Sequence, residues 1–270
     1  MNFTLNNLPE RTLKPRSNGI TMVMDKGLSL REAENFADVS AEYVDIVKLG
    51  FGTAFFTPNL AEKIKVYQNA GLQVYFGGTL LEAFVVRGQF DDFISQLDKY
   101  KINYVEVSDG SIHIEHDEKC TMISRLAKNY KVLSEVGSKD AEVVFAPYKW
   151  IEQMQTELDA GSSMVVAEAR EGGNVGIFRG TGEVRSGLVD EILTKIPSEK
   201  ILWEAPNKSQ QVWFIKLLGS NVNLGNIPVA EAIPLETLRM GLRGDTFFQF
   251  LPKEMKAKFT QLKNADGEND

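Results

Sequence analysis

The chain has 270 residues, 43% of them apolar, which supports a sizeable core and excludes a disordered protein. Lys and Arg number 30 against 37 Asp and Glu, and the resulting net charge of −7 argues against nucleic acid or an anionic membrane surface as partner. One cysteine, Cys120, with His113 and His116, allows neither an internal disulfide nor a Cys/His zinc cage. No apolar run nears the roughly 18 residues of a membrane span, and the start lacks the apolar segment of a secretory signal, so a cytoplasmic location is expected.

In chain order, short apolar runs rich in β-branched residues occupy 19–25, 43–48, 72–77, 104–109, 131–137, 164–170, 201–206 and 221–227. Stretches of helical period separate them, the alternation that marks βα units. After the second run, Thr57 reads as a cap and Pro58 as the first helical residue, with Leu60, Ile64 and Tyr67 on one face before Gly71. From Tyr148, Ile151, Met154 and Leu158 recur at helical spacing up to Gly161; from Ser209, Val212 and Ile215 do so up to Gly219. Pro234 places the start of the last helical stretch at or just before Leu235. Eight such units predict a single α/β domain, a (β/α)8 TIM barrel over residues 19–250. Residues 1–18 form an extension closing the bottom or edging the mouth, and the polar tail, 251–270, is expected to fray.

Parallel barrels place their chemistry at the carboxyl ends of the strands, and here those ends are charged. Asp25, Lys48, Glu82, Glu106 with Asp109, Glu135, Glu168 with Arg170, and Glu204 sit in or just after apolar runs. Charges so placed cost several kcal/mol unless paired or metal-bound. Structural ion pairs account for any single one about equally well, but Glu106, Glu135, Glu168 and Glu204 together form a ring of carboxylates that needs a cation. Oxygen ligands without His or Cys suggest Mg2+, and which of the four touch it stays open at this point. Lys48, Lys139 and Arg170 suit a small anionic substrate. Lys139 is either a proton donor or a solvated rim lysine, and a Schiff-base role for Lys48 or Lys139 is not selected. The segment 221–226, with Asn223 and Asn226, suits phosphate bound through backbone N–H groups, as do the glycines at 50, 52, 77, 78, 172 and 173, although tight turns explain most such pairs. His113 and His116 read as loop residues, Trp150, Trp203 and Trp213 as packing, and Cys120 as a buried thiol.

Several motifs resemble one family in one order: Lys14-Pro15-Arg16, Asp45-Ile46-Val47-Lys48-Leu49-Gly50-Phe51-Gly52-Thr53, Gly77-Gly78-Thr79, Glu106-Val107-Ser108-Asp109-Gly110, Glu135-Val136-Gly137 with Lys139, Glu168-Ala169-Arg170-Glu171, Glu204-Ala205-Pro206 and Asn221-Val222-Asn223-Leu224-Gly225-Asn226. With Leu235-Glu236-Thr237-Leu238-Arg239 they extend over nearly the whole chain. In these the chain resembles the phosphosulfolactate synthase family. The resemblance implies a carbon–sulfur lyase of coenzyme M biosynthesis that adds sulfite to phosphoenolpyruvate with Mg2+, giving (2R)-2-O-phospho-3-sulfolactate. It further implies Glu106, Glu135 and Glu168 near the metal, Lys139 as general acid, and Lys14, Arg16, Lys48, Arg170, Asn223 and Asn226 on the substrates. Gly172 departs from the serine common there, which removes a hydroxyl donor. Other readings stay open: another Mg2+-dependent lyase or isomerase of a phosphorylated small acid, or a non-enzymatic barrel like the related heat-stress-associated plant proteins. A homo-oligomer is compatible with either.

Overall fold

The structure, a computed structural model, describes residues 2–137, 146–170 and 172–265, the last five by backbone alone. Its strands are β1 (Thr21–Asp25), β2 (Ile46–Leu49), β3 (Gln73–Phe76), β4 (Tyr104–Val107), β5 (Lys131–Val136), β6 (Met164–Ala167), β7 (Ile201–Glu204) and β8 (Leu224–Pro228). The helices are α1 (Leu30–Ser40), α2 (Thr53–Phe56), α3 (Leu60–Asn69), α4 (Gly78–Val85), α5 (Phe90–Lys99), α6 (His116–Leu126), α7 (Pro147–Asp159), α8 (Ser186–Leu193), α9 (Lys208–Leu218), α10 (Ala232–Arg239) and α11 (Lys253–Ala265).

All paired strands are parallel, in the order β3-β2-β1-β8-β7-β6-β5-β4. Side chains are buried on both faces of nearly every strand, because alternate residues meet the barrel interior and the surrounding helices. On the helix side, Trp203 of β7 stacks on Phe214 of α9 at 5.0 Å between ring centroids. No ladder joins β3 to β4 among the described residues; at this seam Tyr75 Oη donates to Glu106 Oε2 at 2.7 Å. The result is a single, nearly closed (β/α)8 barrel. Among the described residues no helix is long and apolar enough to cross a membrane.

The extension closes the amino-terminal end. Lys14 Nζ donates to the carbonyls of Ala41 (2.9 Å) and Val44 (2.7 Å), just before β2. Arg16 pairs with Asp45 at 3.0 Å, whose other oxygen accepts the Thr21 N–H at 2.9 Å. Arg239, fully buried, donates to the carbonyls of Ser220 and Val222, each at 2.7 Å, ahead of β8. Burial, with the nearby Arg11 charge adding to it and Glu236 opposing, lowers its pKa to about 9.

Three local expectations are corrected. Thr57 does not cap the helix after β2; its hydroxyl donates to Thr53 O and ends α2, and α3 starts at Leu60 behind a left-handed Asn59 (φ 54°). The helix holding Pro234 begins earlier, at Ala232, because proline is tolerated in a first turn whose N–H groups have no helical acceptor. The tail is not wholly frayed, since α11 extends to Ala265.

Candidate active site

At the carboxyl ends of the strands lies a cavity of about 250 Å³, whose lining includes Lys48, Glu106, Glu135, Glu168, Glu204 and Asn226. Each comes from a different strand or the residue after it, so the parallel topology alone brings together side chains far apart in sequence. Thr79, Ser111, Phe51 and Arg170 stand around it. Phe51, Arg170 and Asn226 have left-handed backbones (φ 54°, 53° and 54°), and non-glycine residues held so cluster at functional sites.

Lys48 is the electrostatic centre. Its Nζ lies 2.9 Å from Glu106 Oε2, 3.6 Å from Glu204 Oε1 and 3.8 Å from Glu135 Oε2. Burial works against its charge, but the carboxylates, Glu106 foremost, outweigh it and hold the pKa well above the ordinary lysine value. Glu106 in turn accepts from three donors: Tyr75 Oη, the Gly78 N–H at 2.7 Å, and Lys48. A glycine is required at 78, because a Cβ there would collide with the Ser108 side chain and lie 2.9 Å from Glu106 Oε1.

Glu135, Glu168 and Glu204 each offer an oxygen within 4.8 Å of the others. Glu204 Oε2 accepts the Ala169 N–H at 2.9 Å, whereas its buried Oε1 accepts no hydrogen bond from the described residues. Burial, with Glu135 and Glu106 adding to it against the opposing effect of Lys48, raises the Glu204 pKa to about 7. Buried carboxylate oxygens converging beside one described ammonium are a donor set that suits a hard divalent cation. Two of the three carboxylates expected on a metal, Glu135 and Glu168, are in this trio. Its third member is Glu204, while Glu106 is spent on Lys48, Tyr75 and Gly78.

The structure separates the expected substrate residues into two groups. Lys48, Arg170 and Asn226 meet at the cavity. Lys14, Arg16 and Asn223 are corrected: they belong to the opposite end of the barrel. Asn223 accepts the Ile20 N–H and donates to Glu199 O and Ile201 O, where β1 and β7 begin. Lys139 and Glu171 lie outside the described residues. Gly172 is exposed, and a Cβ on it would face Asn174 at 3.1 Å. Asp25 is structural, paired with Lys63 and accepting from Tyr67 Oη and the Gly27 and Leu28 N–H groups. His116 is no loop residue but opens α6, 3.5 Å from the buried Glu157. Cys120 is only partly buried.

Fold and cavity together define a (β/α)8-barrel enzyme with an acidic, lysine-centred site at the carboxyl end of its strands. A family model described as "(2R)-phospho-3-sulfolactate synthase (ComA)" matches residues 9–245. The phosphosulfolactate synthase of Bacillus subtilis (strain 168) is 40% identical over 244 residues, 89% of this chain and 97% of that protein. That of Methanothermobacter thermautotrophicus is 41% identical over 244 residues, 88% and 95% of the two chains. The chain belongs to the phosphosulfolactate synthase family. Among solved structures, 3-hexulose-6-phosphate synthase from Salmonella typhimurium shares the barrel with a TM-score of 0.54 at 17% identity, over 83% of this chain and 100% of that one.

Proposed function

We propose that the chain catalyses the Mg2+-dependent addition of sulfite to phosphoenolpyruvate, giving (2R)-2-O-phospho-3-sulfolactate. The observation that carries this reading is the convergence of Glu135, Glu168 and Glu204 within 4.8 Å, in a cavity shared with Lys48 and Arg170, in a chain of this family. Anionic substrates need cations around them, and carboxylates in the same space need one between them.

A divalent cation held by Glu135, Glu168 and Glu204 would supply Lewis-acid stabilisation of charge developing on the substrate carboxylate. Lys48, kept protonated and fixed by Glu106, holds an anionic oxygen as a point charge. Arg170, exposed at the rim, offers a planar fork to phosphate or sulfite. Asn226 brings a buried amide whose Oδ1 accepts no hydrogen bond from the described residues. In the reaction the sulfite sulfur bonds the methylene carbon, the π pair moves toward the carboxylate, and a proton reaches the carbon bearing phosphate. Lys139 is the proposed donor, on the strength of the resemblance and its place just past β5.

Purified protein given phosphoenolpyruvate, sulfite and Mg2+ is expected to deplete the vinyl proton signals in NMR, with depletion requiring all three. No depletion at any metal concentration overturns the reading, and phosphoenolpyruvate binding without sulfite-dependent loss reassigns the enzyme to another lyase or isomerase. Lys139→Ala is expected to slow turnover at least about a hundredfold.

A further inference from the structure

Lys119 of α6 is buried behind the barrel wall and does not line the cavity, yet it touches the strand that carries Glu135. Its ammonium has partners on three segments: Glu157 Oε1 of α7 at 2.9 Å, Asp109 Oδ1 beyond β4 at 3.0 Å, and the Glu135 carbonyl of β5 at 2.6 Å. Two carboxylates hold it charged despite burial, Glu157 as an ion pair and Asp109 also as a hydrogen-bond acceptor.

The third contact fills a gap in the sheet. Along β5 the carbonyls of Val132 and Val136 serve β6, through Ser163 N and Glu168 N. Alternation therefore turns the Glu135 carbonyl toward β4. But the ladder with β4 stops at the pair Val107 and Ser134, one residue too early to supply a backbone donor. Directly afterwards the chain leaves the strand at Gly137, with φ 133°. The end of β5 that aims the Glu135 carboxylate is thus held on its β4 side by a side chain instead of a strand.

We propose that Lys119 is a positioning residue for the cation site: by pinning the Glu135 carbonyl it fixes the carboxylate of Glu135 against those of Glu168 and Glu204. The inference rests on the reading of that trio as a cation site. Partners behind metal ligands of this kind are worth about ten- to a hundredfold in metal affinity. Glu157 and Asp109 each hold the ammonium from outside β5, so with either one removed the other is expected to keep Lys119 charged and on the Glu135 carbonyl.

Mn2+ titrations, followed by the EPR signal of the free ion, separate these roles without relying on turnover. Wild-type protein is expected to bind Mn2+ saturably. Lys119→Met, and the double variant Lys119→Met/Glu157→Gln that also removes the buried Glu157 charge, are expected to bind at least about tenfold more weakly while keeping the wild-type circular dichroism. Glu157→Gln alone, with Lys119 still on the Glu135 carbonyl, is expected to stay within about threefold of wild type, whereas a purely structural ion pair would make it behave like Lys119→Met. A folded Lys119 variant with wild-type Mn2+ affinity overturns the positioning role alone. Wild-type protein that binds no Mn2+ overturns the cation site and this inference with it. If neither Lys119 variant folds, an Asp109→Asn protein, whose Lys119 keeps Glu157 and the Glu135 carbonyl, with wild-type affinity supports the role, and one as weak as tenfold refutes it.

Discussion

The ammonium of Lys48 lies 2.9 Å from Glu106 Oε2, and Glu106 also accepts from Tyr75 Oη and the Gly78 N–H. A lysine held this firmly cannot swing away from the cavity, so its charge is available to a ligand without reorganisation.

Removing that charge leaves Glu106, Glu135 and Glu204 buried around an empty centre. Losing one partner of a buried pair costs about 3–5 kcal/mol, so Lys48→Met should unfold in urea with a loss of that size when EDTA is present. Added Mg2+ should restore part of it through the carboxylate trio, while turnover stays abolished. Unchanged unfolding in EDTA would show that the carboxylates do not depend on Lys48.

Gly78→Ala tests the close approach of α4 to β4. The new methyl meets Ser108 and Glu106, an overpacking worth about 1–3 kcal/mol, and it pushes the Glu106 carboxylate off Lys48. Both the urea midpoint and kcat should fall; a variant with normal kcat would mean that the Glu106 contact does not matter for chemistry.

His116 gives the chain a pH dependence remote from the cavity. Its contact with Glu157 raises the pKa above the usual 6.5, against the opposing effects of burial and of Lys119. A raised pKa means that the folded protein holds this proton more tightly than the unfolded chain does. The stabilisation is therefore complete below about pH 6.5 and is lost as pH rises through the elevated value. Melting curves of His116→Gln should lack the part of the decline that wild type shows across that window.

At the other end of the barrel, Arg239→Met should leave the carbonyls of Ser220 and Val222 buried without donors. Each such loss costs about 1–3 kcal/mol, and the urea midpoint should fall accordingly. The folded molecules should keep their turnover, because no contact of Arg239 reaches the cavity. A selective loss of kcat would contradict the division of labour between the two ends.

Much of this architecture is legible in the residues themselves. Eight β-branched runs correspond to eight strands, and Gly71, Gly161 and Gly219 stop helices where a left-handed or otherwise positive φ is needed. Glu135, Glu168, Glu204, Lys48 and Asn226 can be picked out because so many charges and amides at the ends of apolar strands need a shared use, although one alone, as at Asp25, serves a structural pair just as well. What the string does not encode is which end of a barrel a flanking residue reaches. Lys14, Arg16 and Asn223 sit in motifs like those of the cavity, but they precede strands, and position before a strand rather than after it was the signal that separates them. Asn223 and Asn226 are three residues apart and face opposite ends. Glu204 is one of the four strand-end carboxylates the residues single out, but that it rather than Glu106 completes the trio follows from Tyr75 and Gly78 reaching Glu106 across the unladdered seam. Lys119, one more charge in the charged first turns of α6, shows its role only through the point where β4 ends.

The most direct test is a crystal structure of the protein grown with Mn2+ and phosphoenolpyruvate, with anomalous scattering used to locate the ion. An anomalous peak among Glu135, Glu168 and Glu204, with phosphate or carboxylate oxygens against Lys48 and Arg170, is the expected result. Ion and ligand bound at separate places, or a ligand seated at the Lys14 and Arg16 end, would contradict it.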